Sequence, residues 1–499
     1  GREHSITVSA GDLIGGSPLA SALFLDEPAI IAMNALGLDL NAVGNHEFDR
    51  GRDELLRMQN GGCGQFGRRK PCALEPFAGA KFRFLAANVL TQSGRTLFPP
   101  TEIKQFGPVR IGFIGMTLKD TGSIVTPAGV EGLAFADEAA TANALVPVLK
   151  AAGADTIVLL IHQGGRLADG RIDDSACPGL TGPIVPILHE LDPAISLVVS
   201  GHTHRAYICN VPSSAGSSTL LTSAGQYGTM LTDIRLSFAP GTRALIGKKA
   251  DFILVQGEPF STAEGEVQLN PAVPVAPQHP EVAAIVGKYS AAAKPLADRV
   301  IAILPAAVSA ARDLHGAQRL GELVADAQLA WTRKAGAEIA FMNAGGVRSD
   351  LVPKANGSVT YGQLFALQPF GNGLVVQTLT GAELRQLLEQ QFPPQISDSA
   401  QPKMLSPSKG FRFEYDLKRP AGERIVSVTL NGRPIDPAAT YRVTTNSFLS
   451  SGGDGFTILK NGRDKSDLGI DLDALESYLA GSPQVPSGGR VRDVNAIGG

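Results

Sequence analysis

Four short polar motifs, each directly following a strand-like run, constrain this chain more than any other feature. Ile6–Ala10 leads into Gly11-Asp12, and Leu38–Val43 leads into Gly44-Asn45-His46-Glu47-Phe48-Asp49. Thr156–Ile161 leads into His162, and Ile195–Ser200 into Gly201-His202-Thr203-His204. The last two runs are almost continuously apolar, as expected of strands buried on both faces. Ligand sites in α/β sheets gather beyond the carboxyl ends of strands, so the four motifs point to one edge.

The residue types define the chemistry. Asp12, Asn45, His162, His202 and His204 offer oxygen and imidazole donors and no thiolate. That set suits a divalent ion such as Zn²⁺, Mn²⁺ or Co²⁺. A carboxylate after the first strand is placed to bridge two such ions, which would hold a hydroxide and polarise a phosphoryl group. His46 is left to move a proton, and Asp49 lies three residues on, near enough to orient its imidazole. Gly44 lets the backbone turn closely before them. His4, His189 and His279 belong to no such set.

At 499 residues the chain is too long for one ordinary core, so two domains are expected. The net charge of −3 argues against a nucleic-acid polymer as partner, and Arg68-Arg69-Lys70 is the basic run. No apolar stretch approaches the roughly 18 residues of a spanning helix. The opening Gly1-Arg2-Glu3-His4, without Met or a signal-like segment, reads as a fragment or a processed chain. Four cysteines in Gly/Pro-rich settings suggest disulfides, Cys63 with Cys72 and, as a second candidate, Cys177 with Cys209. Unpaired buried thiols in a cytosolic enzyme are the alternative.

The first half alternates helix-like and strand-like segments, an α/β pattern. Helices are expected over Glu27–Leu36 and Asp137–Ala152. Further strands are expected at Phe82–Ala87, Val109–Met116, Leu220–Ser223 and Leu231–Phe238. A connector carrying Pro271, Pro274, Pro277 and Pro280 precedes a helix from Glu281 to about Ala293. The expected organisation is therefore a metal-binding domain over 1–270, a linker and helix over 271–295, and a second domain over 296–499. That second domain should hold a helix at Gly321–Thr332 and a strand at Glu338–Met342 ending on Asn343. A capping box at Thr380–Glu383 should open a helix, and Asn431-Gly432 should turn after Ile425–Leu430.

With these motifs in view, the first half resembles a calcineurin-like metallophosphoesterase domain. The whole chain resembles the bacterial 5′-nucleotidase/UDP-sugar hydrolase family, through GDLIGGSP at 11–18, GNHEFD at 44–49, IHQGG at 161–165 and SGHTH at 200–204. The resemblance implies an N-terminal α/β sandwich joined by a helical linker to a smaller α/β C-terminal domain. It implies that Asp12 bridges two divalent metals, with Asn45, His162 and His202 completing one site and His204 serving the other. His46, paired with Asp49, would be the catalytic dyad. In the second half, Asn343, Arg348, Phe370, Asn372, Phe448 and Asp454 fall in segments resembling the family's substrate-binding motifs. Arg348 would contact phosphate, Phe370 and Phe448 would clamp the base, and Asn372 and Asp454 would contact the nucleoside. For each phenylalanine alone, a place in the core is the commoner fate.

One feature departs from the family. An Asp-x-His-Gly motif should precede Gly11-Asp12 and supply two further ligands, and no residue before Asp12 fills that part. Asp313-Leu314-His315-Gly316 has the letters but stands in the second half, and the simpler expectation is a segment absent from this chain. A further arginine is expected near the 321–332 helix, with Arg312 and Arg319 as candidates. The implied activity is hydrolysis of nucleoside 5′-monophosphates in the periplasm or outside the cell. Alternatives are a 2′,3′-cyclic phosphodiesterase, a UDP-sugar or dinucleotide pyrophosphatase, and a nucleotide-binding protein with an incomplete metal site.

Overall fold

A computed structural model of the chain describes residues 4–67, 69–168, 171–172, 174–212, 218–263, 265–396, 401–481 and 484–496. Arg68 of the basic run lies outside the described residues. The chain divides into two units. The first comprises Gly1–Gly15, Phe24–Glu258 and Leu269–Lys288; the second comprises Gly16–Leu23, Pro259–Gln268 and Tyr289–Gly499.

In the first unit the apolar runs become a six-stranded sheet. Its order is Ala206–Pro212, Ser218–Ala224, Ile195–Ser200, Thr156–His162, Val109–Thr117 and Thr101–Phe106. The four middle strands run parallel, and both edge strands are antiparallel to their neighbours. A second, parallel sheet joins Val8–Ser9, Leu40–Ala42 and Arg83–Leu85.

Alternation along the strands explains the layering. Phe113, Val158, Leu160 and Leu197 share one apolar cluster with Leu40, Ala42 and Leu85, so the two sheets face each other. Ile114, Leu159 and Ile161 point the other way, into a cluster with Ala142, Val146 and Leu149 of the helix Glu138–Ala151. Asp137 caps that helix, its side chain accepting the Ala140 N–H at 3.1 Å. The outer face of the small sheet packs with Ile30 of the helix Glu27–Leu36 and Leu55 of the helix Arg52–Asn60. The result is an α/β sandwich, in agreement with the sequence.

The expected strand Leu231–Phe238 forms as Met230–Phe238, but it pairs antiparallel with Leu245–Leu254 in a separate two-stranded sheet. Both cysteine pairs are disulfides, Cys63–Cys72 and Cys177–Cys209. The helix after the prolines spans Pro280–Ala297, and the division between units falls inside it. No helix among the described residues is long and apolar enough to cross a membrane.

The second unit is also mixed α/β. A five-stranded sheet runs Leu405–Pro407, Ile339–Asn343, Thr440–Asn446, Gly373–Thr380 and Arg463–Ile470. The helices Arg319–Thr332 and Asp471–Ala480 contribute to one apolar cluster, through Leu320, Leu323, Val324, Leu472 and Leu475. Leu384, Leu387 and Leu388 of the helix Gly381–Glu389 join Phe341, Phe411 and Phe413 in another. The Thr380–Glu383 capping box is present in both directions. Asn431 and Gly432 both adopt positive φ, 51° and 77°, and close the hairpin in which Leu430 opposes Arg433.

Candidate active site

The first unit brings its motifs together at strand ends. Asp12, His202 and His204 all hold left-handed backbone, at φ of 58°, 68° and 59°. Such strain in non-glycine residues persists where surrounding structure fixes it, as at functional sites. Donor atoms of Asp12, His162 and His202 lie within 4.8 Å of one another, the one such group of three among the described residues. Asn45 joins them, its Oδ1 standing 3.1 Å from His202 Nδ1. His204 is outside that group, and its ring centroid lies 5.9 Å from that of exposed Tyr227.

The geometry of His162 shows what the group is suited to hold. Its Nδ1 lies 2.7 Å from the Ala10 carbonyl oxygen, which can only accept, so Nδ1 carries the proton. The buried Nε2 is 2.9 Å from Asp12 Oδ2 yet has no hydrogen-bond partner of acceptable geometry. Two such atoms this close repel unless a proton or a metal ion lies between them; against burial, the Asp12 carboxylate pushes the His162 imidazole up. Burial alone would push the Asp12 carboxyl up, but the imidazoles of His162, His46 and His202 outweigh it and hold Asp12 well below the usual carboxylate range. Burial, with His162 beside it, pushes the His202 imidazole down to about 3, leaving it a neutral ligand. Carboxylate, amide oxygen, the neutral His202 imidazole and a His162 imidazole that gives up its Nε2 proton on binding fit a divalent metal.

The dyad is formed. A single 3₁₀ turn over His46–Phe48 brings His46 Nδ1 to 2.9 and 3.1 Å from the two carboxylate oxygens of Asp49. The His46 backbone N–H donates to Asp12 Oδ1 at 2.9 Å, so dyad and ligand are coupled through one peptide.

Glu47, which the sequence offered without a role, is buried beneath them. Its carboxylate accepts the N–H groups of Asp12, Leu13 and Gly44 at 2.9, 3.0 and 2.9 Å, and the Asn41 side-chain amide at 3.2 Å. It thereby ties the first two motifs together. Burial, then the charge of Asp12, pushes its carboxyl up to about 7. The local pattern does not reveal the link to the first motif, because its partners there, Asp12 and Leu13, are backbone groups 35 and 34 residues away.

The candidate substrate residues cluster at one end of the second unit's sheet. Ile339–Asn343 runs parallel to Thr440–Asn446, while Gly373–Thr380 runs antiparallel to it with Leu374 opposite Asn446. The loops carrying Arg348, Phe370 and Phe448 therefore emerge from the same end. The Gly373 N–H donates to Ser447 Oγ at 3.2 Å and joins two of them. The Arg348 guanidinium lies over the Phe370 ring, 5.8 Å from its centroid. Phe448 packs partly against the core, and a Cβ on Gly453 would come within 2.5 Å of its ring.

Asn343 is buried, with both ends of its amide engaged: Asn446 Nδ2 donates to its Oδ1 at 2.9 Å, and its Nδ2 donates to Asp454 Oδ2 at 3.0 Å. Asn372 lies against the buried Asp471, whose N–H donates to the Asn372 carbonyl at 2.9 Å. Arg312 donates to the Pro402 carbonyl at 3.2 Å and Arg319 to the Pro486 carbonyl at 3.1 Å. The Asp313–Gly316 match is a turn. Asp313 Oδ1 accepts the N–H groups of His315 and Ala317 at 2.8 and 3.0 Å, and His315 Nδ1 accepts the Asp493 N–H at 3.3 Å. Both side chains serve the local fold.

The chain is similar to several known proteins. Residues 299–461 match the family model for the 5′-nucleotidase C-terminal domain. A crystal structure of a 5′-nucleotidase precursor from Thermus thermophilus superposes with a TM-score of 0.78 at 28% identity, covering 98% of this chain and 90% of that one. The second unit thus carries a 5′-nucleotidase C-terminal domain, and the whole chain is similar to a 5′-nucleotidase precursor. Two other relatives are longer. Endonuclease YhcR of Bacillus subtilis is 28% identical over 90% of this chain and 33% of its own length. Cell wall protein Lmo0130 of Listeria monocytogenes is 28% identical over 96% of this chain and 60% of its own length. This chain thus spans a third to three fifths of the length of those two curated relatives.

Proposed function

We propose that this chain hydrolyses nucleoside 5′-monophosphates to nucleoside and phosphate with the aid of divalent metal. The observation that carries the reading is His162 Nε2 facing Asp12 Oδ2 at 2.9 Å without a hydrogen bond, beside an oriented His46–Asp49 dyad. Asp12, Asn45, His162 and His202 would hold one ion, and Asp12 with His204 would contribute to a second; Zn²⁺, Mn²⁺ and Co²⁺ all suit the donors. When bound, the ions supply Lewis acidity toward phosphoryl oxygens and activate water.

The protein's own residues do the rest. Asp49 accepts the His46 Nδ1 proton and so turns Nε2 outward, where it can stabilise charge on the phosphoryl group or protonate the leaving 5′-oxygen. Arg348 offers a planar guanidinium to phosphate oxygens. Phe370 and Phe448 offer ring faces to a base, and Asp454, held by Asn343, accepts from ribose hydroxyls. The disulfides, together with a relative named as a cell wall protein, support an envelope or extracellular location.

A panel of AMP, a 2′,3′-cyclic nucleotide, a UDP-sugar, a dinucleotide and an aryl phosphate tests the reading. AMP is expected to give the highest kcat/KM. A preference for the cyclic diester or a pyrophosphate would move the activity within the family, and binding without turnover of any of them would make the chain a nucleotide-binding protein.

A further inference from the structure

The chain leaves the first unit after Gly15 and re-enters it at Phe24. Leu19 and Ala22 of the intervening segment lie in the apolar core of the second unit, with Leu320 and Leu323. The neck of this excursion is closed by Asp26, which is fully buried. Asp26 Oδ2 accepts the Gly15 N–H at 3.2 Å and pairs with Arg50 Nη1. Leu25 and Asp26 are both left-handed, at φ of 58° and 64°. Two such residues in succession, neither glycine, are uncommon and need a surrounding structure that enforces them.

What the clasp grips is the back of the dyad. Gly15, at φ 84°, is so close that a Cβ there would lie 2.2 Å from the His46 carbonyl oxygen and 2.7 Å from Asp49 Oδ2. On the other side Arg50 follows Asp49 directly in sequence. Although burial disfavours its charge, Asp26 and then Asp49 hold the Arg50 guanidinium protonated. Asp49 therefore has the Gly15 backbone against one side and Arg50 next in the chain, and Asp26 fixes both. Its position 24 residues before Arg50, on a different element, is not required by any local motif.

We propose that Asp26 and Arg50 are positioning residues for the dyad: they fix the Asp49 carboxylate, and through it the orientation of the His46 ring. This rests on the function proposed above. A buried ion pair that merely braces the neck would make the same contacts, so the test must read the dyad.

Asp26→Asn keeps the shape and an acceptor for the Gly15 N–H but removes the charge; Arg50→Lys keeps a cation. With AMP, Asp26→Asn is expected to lower kcat about tenfold or more while KM and bound metal stay within about twofold, and Arg50→Lys to retain most of the activity. In an Asp49→Asn background the further change Asp26→Asn should alter kcat less than about twofold, because the clasp acts through Asp49. Independently of turnover, the downfield NMR signal of the His46 Nδ1 proton should be sharp in the parent protein and broadened in Asp26→Asn. An effect of Asp26→Asn equally large with and without Asp49, or an unchanged His46 signal, overturns the proposal. If the parent protein turns over no nucleotide, the function reading fails and the NMR arm alone decides the clasp. Should Asp26→Asn fail to fold, Arg50→Met takes its place in every arm.

Discussion

His46 Nδ1 lies 2.9 Å from Asp49 Oδ2, and the same residue's backbone N–H donates to Asp12 Oδ1. His46 thus touches Asp49 through its ring and Asp12 through its backbone. His46→Ala is expected to leave metal content nearly intact while lowering kcat by roughly two to four orders, the range for a lost general acid. Asp49→Asn should act in the same direction and more weakly. Metal analysis beside steady-state kinetics checks both, and loss of metal from His46→Ala would instead make His46 a ligand.

The proposed base clamp predicts a split between substrates. Loss of one stacked ring removes about 1–3 kcal/mol per base, so Phe448→Ala should raise KM for AMP roughly ten- to a hundredfold. It should do so for several bases alike and leave a small aryl phosphate little changed. Phe370→Ala is the less clean variant, because Arg348 rests on that ring and would lose its support. If Phe448→Ala unfolds the second unit, or impairs both substrates equally, the ring is packing the core.

Asp471 predicts a pH effect on stability. Burial pushes its carboxyl up to about 7, far above its value in an unfolded chain. Between about pH 4 and 7 the folded chain therefore holds a proton that the unfolded chain has released, so stability from this group falls as pH rises through that window. Above it the full penalty of a buried charge remains. Asp471→Asn should flatten the dependence and raise Tm relative to the parent above pH 7, with the two converging near pH 4. A difference independent of pH would show that Asp471 is charged throughout.

Thiol counting under denaturing, non-reducing conditions should find no free cysteine, since all four are paired. Two titratable thiols at Cys63 and Cys72 would place the protein in a reducing compartment.

What could be read in advance followed from local physics. Strands buried on both faces show as apolar runs, and their ends locate the polar motifs; the Thr380 capping box and the Asn431-Gly432 turn depend on neighbours a few residues apart. Two features escaped because the partners that matter are remote. Glu47 acts on the backbone of Asp12 and Leu13, where residue identity leaves no trace. Asp26 meets Arg50 across 24 residues from an unusual backbone conformation. Met230–Phe238 is legible as a strand, and it pairs with the strand that directly follows it, Leu245–Leu254, in a separate hairpin.

In the function proposed above, Asp12, Asn45, His162 and His202 hold a metal on which nucleotide hydrolysis depends. The most direct measurement strips the protein of metal, adds back Zn²⁺, Mn²⁺ or Co²⁺, and follows phosphate release from AMP by the parent protein and by His202→Ala. The parent should be inactive when stripped and recover with at least one ion. His202→Ala should bind that ion more than about tenfold more weakly and recover little. Phosphate release that is undiminished by stripping, or equal recovery in His202→Ala, would contradict the account.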